Sequence, residues 1–167
     1  MAEQPNGDYA QTMMRQFFLS VYQYYFYSEL KKSKDETFSA LAEKSLKEVA
    51  YHLRHSSEWV IRFGDGTEES HVRTLEAMET LWKYTGDLFE MNKVDEELIK
   101  AGIGVDMKEV KNLWDKKVRE VFTKATLTIP EEVYMTGGSI NGLHSEHLGH
   151  LLSEMQVLPR SFPGAEW

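Results

Sequence analysis

The sequence predicts an all-α protein, a bundle of long helices joined by short connections, on three observations. Apolar residues recur at three- and four-residue steps over most of the chain. Glycines and prolines are gathered at a few breaks, and no run sustains the two-residue alternation of a half-buried strand, TLTI at 126–129 coming nearest. Nothing repeats at a fixed period and no segment is low in complexity.

The first helix is expected from Tyr9 to about Lys32. It contains neither Gly nor Pro and is crowded with Phe17, Phe18, Tyr22, Tyr24, Tyr25, Phe26 and Tyr27, a pattern that suits a helix covered on several sides. Ser33 and Glu36 stand in capping-box register ahead of the second helix. There Phe38, Leu41, Leu46, Val49, Leu53, Val60 and Phe63 mark the buried stripe, and Gly64 closes a rod of roughly 42 Å. Thr67 is the expected cap of a third helix, with Glu68 and Glu69 in its first turn and Leu75, Met78, Leu81, Trp82, Leu88 and Phe89 inward. VDEELIKAGIGVD reads as a short helical turn broken by Gly102 and Gly104. Asp106 then caps a fourth long helix that buries Val110, Leu113, Trp114, Val121 and Phe122. Pro130 and the Gly137–Gly138 pair make TLTIPEEVYMTGGSINGL the irregular stretch, a last helix runs from about His144 to Leu158, and PRSFPGAEW is expected to wander over a surface.

Composition bounds the function. With 41% hydrophobic and 28% charged residues in 167, the chain has apolar side chains enough for one core, so a single domain over 1–167 is expected. Nineteen basic against 27 acidic residues leave a net charge of −8, which disfavours a grip on nucleic acid or an anionic membrane. The absence of cysteine excludes disulfides, thiolate metal sites and cysteine nucleophiles. The polar start MAEQPNGDYA is no secretory signal and no apolar run reaches spanning length, so a cytoplasmic location is expected. P-loop, dinucleotide-binding and nucleophile-elbow patterns are missing.

The histidines carry the remaining chemistry. All six fall in three clusters, each with a carboxylate one helical turn away. Glu48, His52, His55 and Trp59 share a stripe at steps of four, three and four, Glu68 and His71 form Glu-x-x-His, and His144, His147 and His150 follow at steps of three with Glu146 and Glu154 on either side of His150. This is the ligand vocabulary of di-iron bundles, in which two helices each give a Glu and two give Glu-x-x-His. Three facts weigh against such a site. Tyr51 occupies the position three residues after Glu48, Glu68 and His71 sit in the opening turn of a helix, and between Asp8 and Glu29 there is no acidic residue at all. The expected reading of these ten residues is a vestigial metal site or an interface, with no catalytic residue and no metal in this chain.

EQPNGDYAQTMMRQ at 3–16, KSLKEVAYHLRHSSEWVIRFGDGTEESH at 44–71, LWKYTGDLFE at 81–90 and TGGSINGLHSEHLGHLLSEMQVLPRSFPGAEW at the C-terminal end resemble the C-subunit family of the ring 1,2-phenylacetyl-CoA epoxidase, the multicomponent bacterial oxygenase of phenylacetate degradation. The resemblance covers essentially the whole chain. It implies a ferritin-like helical bundle and a structural, non-catalytic subunit. It further implies, as partner, a catalytic A subunit that carries the di-iron centre, with a reductase supplying electrons to the complex. It also implies two further core helices ahead of the segment matching EQPNG. With those helices missing, the aromatic faces of 17–27 and 38–63 are expected to lie exposed, and self-association or poor solubility of the lone chain follows. A self-contained di-iron protein and a helical interaction module unrelated to oxygenation are the competing readings.

Overall fold

A computed structural model describes residues 1–131 and 133–166. Among the described residues, seven α-helices and two short 3₁₀ turns account for the regular structure, and there is no strand. The helices are α1 (Tyr9–Leu30), α2 (Glu36–Gly64), α3 (Glu68–Trp82), α4 (Lys93–Ala101), α5 (Met107–Lys124), α6 (Glu146–Met155) and α7 (Val157–Ser161).

Local chemistry sets most of the boundaries. Asp8 caps α1 by accepting from the Gln11 N–H, Thr67 caps α3 through Ser70, and Asp106 caps α5 through Lys108. The cap of α2 is Asp35, whose carboxylate accepts from Thr37 and Phe38. Ser33, expected in that role, instead donates its hydroxyl to the Ile103 carbonyl 70 residues away, because a carboxylate two residues on is better placed for the free N–H groups. The VDEEL turn is longer than expected. Asn92 and Asp95 form a full capping box, which supports the nine residues of α4 until Gly102 takes a left-handed φ of 75°. Leu88 and Phe89 lie outside α3 in the 3₁₀ turn Gly86–Phe89, since the helix ends at Trp82. The last helix is split at Gln156, and the first part of the expected surface tail is helical in α7.

α1 is the central rod and packs against α2, α3 and α5. Tyr9 at its start meets Trp59 and Phe63 near the end of α2, so the two run antiparallel. Phe18 meets Trp82 while Asp8 pairs with Arg73, which makes α3 parallel to α1. The core is an aromatic cluster of Phe17, Phe18, Trp82, Trp114 and Phe122, with ring centroids 5.7 to 6.2 Å apart at tilted or edge-on angles. Trp114 buries its indole and donates its N–H to the Phe18 carbonyl at 3.0 Å, so the polar handle costs no unmet hydrogen bond.

The expected exposure of the aromatic faces is corrected at its most apolar point. Phe17, Phe18 and Val21 have no accessible surface, because α3 and α5 close over α1, and Tyr22, Tyr25, Phe26 and Leu30 are half-buried against Val105, Met107 and Val110. Phe38 and Leu41, assigned to the buried stripe of α2, are instead exposed at its free first turns. TLTI forms no strand. Thr126 there adopts a left-handed φ of 56°, uncommon for a β-branched residue, and its hydroxyl donates to the Gly64 carbonyl at 3.0 Å.

Candidate functional site

Of the expected α2 stripe, His55 and Trp59 belong to a ring ladder at four-residue steps that leaves out Glu48 and His52. Tyr51, His55, Trp59 and Phe63 recur every four residues and form a ladder of rings, Tyr51 stacked on His55 at 5.9 Å, His55 edge-on to Trp59 at 6.4 Å, and Trp59 against Phe63 at 5.1 Å. Arg54 lies over the Tyr51 ring and Arg62 over the Trp59 ring, at 5.6 and 5.5 Å. Tyr51, at one end of the ladder, is 55% exposed. His52 and His55 are half-buried, while Glu48 stands exposed and makes no ion pair among the described residues.

Glu68 and His71 are on α3 and do a different task. Glu68 is exposed in the first turn, and the His71 Nδ1 lies 2.6 Å from the Gly64 carbonyl. A carbonyl only accepts, so Nδ1 carries the proton and the ring tethers the end of α2 to the start of α3. The same carbonyl accepts from Thr126, and Gly64 itself lies so close to Ala125 that a Cβ there would sit 2.2 Å from the Ala125 oxygen. The junction is a tight structural knot.

The third cluster leaves the body. Glu146, His147, His150 and Glu154 are exposed on α6, and no residue of α6 or α7 is buried. The three histidine clusters are therefore not brought together, and among the described residues no group of three His, Asp or Glu side chains could hold a metal ion. A di-iron ligand set does not fit this arrangement, because its donors would have to converge from four helices.

His144 is the exception in its cluster. Its Nδ1 lies 2.8 Å from one oxygen of Glu3, and the other oxygen accepts from the Ser145 backbone N–H at 2.7 Å and the Ser145 hydroxyl at 2.6 Å. The Ser145 hydroxyl, followed by His144, pulls the Glu3 carboxyl down from 4.5 to about 2. Sequence reasoning missed Glu3, because its partners are 141 and 142 residues away and no local pattern marks it. It also missed a cleft of about 280 Å³ at the starts of α1 and α3, where Arg73 pairs with Glu69 at 2.8 Å and Asp8 at 3.4 Å beside Tyr9 and Phe63.

No helix among the described residues is long and apolar enough to cross a membrane. The family model described as phenylacetic acid catabolic protein matches residues 1–167. The chain is also similar to the Escherichia coli (strain K12) protein named as the C-subunit of 1,2-phenylacetyl-CoA epoxidase, at 40% identity over 168 residues, which covers 100% of this chain and 67% of that protein. The all-helical architecture agrees with the ferritin-like fold of that family. By sequence over its whole length, the chain belongs to the phenylacetic acid catabolic protein family.

Proposed function

We propose that the chain is a supporting subunit of a phenylacetyl-CoA epoxidase, active in the aerobic catabolism of phenylacetate in the cytoplasm. The observation that carries this reading is the 40% identity, sustained over the full chain, to a protein named as the C-subunit of that enzyme. In this reading residues 1–167 act as one domain without a catalytic residue. The di-iron centre and its oxygen chemistry belong to a catalytic partner, and this chain contributes packing surface. Glu48, His52, His55, Glu68, His71, His144, Glu146, His147, His150 and Glu154 are then interface residues or the remains of a lost metal site. Support comes from the chemistry of their surroundings. His71 is committed to a carbonyl, His144 to Glu3, and the α2 ladder is rich in Trp, Tyr and Arg, the side chains that most often dominate protein interfaces.

The test is co-expression with the catalytic partner from a phenylacetyl-CoA epoxidase, followed by affinity purification on a tag carried by this chain. A stoichiometric complex whose iron fractionates with the partner is expected. Purification of this chain alone with about two irons per molecule would instead favour the self-contained di-iron reading.

A further inference from the structure

Two sequence segments, EQPNG near the start and TGGSINGLHS before α6, meet in space although nothing in their composition pairs them. α6 and α7 bury no residue, so apolar packing does not fix the direction in which they leave the body. Their root is held by carboxylates instead. Glu3 accepts from the Ser145 N–H and hydroxyl and from His144, Asp87 accepts from the Ser139 N–H at 3.0 Å, and Glu90 accepts from the Gly138 N–H at 2.9 Å. Glu3, Asp87, Ser139, His144 and Ser145 line one cavity of about 270 Å³.

Glu3 is in turn held from α1. The Arg15 guanidinium donates to the carbonyls of Gln4 and Pro5 and to the Asn6 side-chain oxygen, and the Thr12 hydroxyl donates to the Asn6 carbonyl at 2.9 Å. Gly7, with a φ of 59°, turns the chain back into α1 so that residues 4–6 lie across Arg15.

We propose that these two segments form a latch in series. Arg15 fixes residues 4–6, these present the Glu3 carboxylate, and Glu3 fixes the root of the α6–α7 arm. Arg15 is then a positioning residue for an arm it does not hydrogen-bond. The arm opens as a unit when the latch is broken, while the aromatic core keeps its structure.

Amide hydrogen exchange of the full chain, read by peptide, tests this with Glu3→Ala, Arg15→Ala and the double variant. Loss of the charged acceptor in Glu3→Ala is expected to speed exchange in 144–155 by roughly 10- to 100-fold, with the stretch 138–142, which Asp87 and Glu90 hold, and peptides of α1 and α5 unchanged. Arg15→Ala is expected to speed exchange in the same arm peptides. The double variant should exceed Glu3→Ala by less than about twofold, because the two residues act through one connection. An Arg15→Ala effect confined to residues 1–8, or effects that multiply in the double variant, would overturn the proposal. Should Arg15→Ala loosen the whole molecule, Glu3→Gln decides on its own, since Glu3 lies outside the packed core; unchanged arm exchange in that variant refutes the latch.

Discussion

At the scale of single residues, the junction of α2, α3 and the end of α5 has no room to spare. A methyl group at Gly64 would collide with the Ala125 backbone, which cannot yield as a flexible side chain would. Gly64→Ala is expected to destabilise by about 2 to 3 kcal/mol in urea denaturation, although alanine is the better helix former. Ser57 is the reverse case. Its hydroxyl is buried without a hydrogen-bond partner among the described residues, so Ser57→Ala should leave stability unchanged or raise it by up to about 1 kcal/mol. The histidines were legible as residue types and spacing, but the α2 ring ladder, which takes in Tyr51 and Phe63 in place of Glu48 and His52, was not. Their hydrogen-bond roles were not legible, because the Gly64 carbonyl and the Glu3 carboxylate are supplied by chain elsewhere.

At the scale of elements, helix starts can be read from short polar side chains, and the correction at α2 shows how finely they compete. Ser33 and Asp35 both precede the helix, yet only Asp35 reaches two free N–H groups. Asp35→Ala is expected to cost about 1 kcal/mol and to increase exchange in the first turn of α2. α6 is the element whose sequence misleads. Its apolar residues have the period of a packed helix, but Leu151 is 54% and Met155 66% exposed. Replacing both by Gln should change the unfolding free energy of the body by less than about 0.5 kcal/mol. The same double change is expected to reduce self-association in sedimentation, and an unchanged distribution of species would place any association elsewhere.

At the scale of the whole molecule, the two ends of the chain are joined by a charged contact, and its pH dependence has a definite sign. The Glu3 carboxyl has its folded-state pKa depressed from 4.5 to about 2, so its contribution is fully present above pH 4.5 and is lost as pH falls from about 4.5 towards 2. Exchange in the arm, corrected for intrinsic rates, should therefore rise across that window, and in Glu3→Gln this step should vanish. The lysine partners of Glu43 and Glu120 depress those carboxyls too, but both pairs are solvent-exposed and contribute little.

The sequence by itself determined the helical class, the caps at Thr67 and Asp106, the aromatic core of α1 and the family, because each rests on local spacing or on a continuous run of residues. Only the tertiary structure decided that α3 and α5 cover the α1 aromatics, that the three histidine clusters stay apart, and that Glu3 reaches Ser145. These depend on which distant surfaces meet, and the physical reason is burial: a periodic apolar stripe announces that a face wants cover without saying what supplies it.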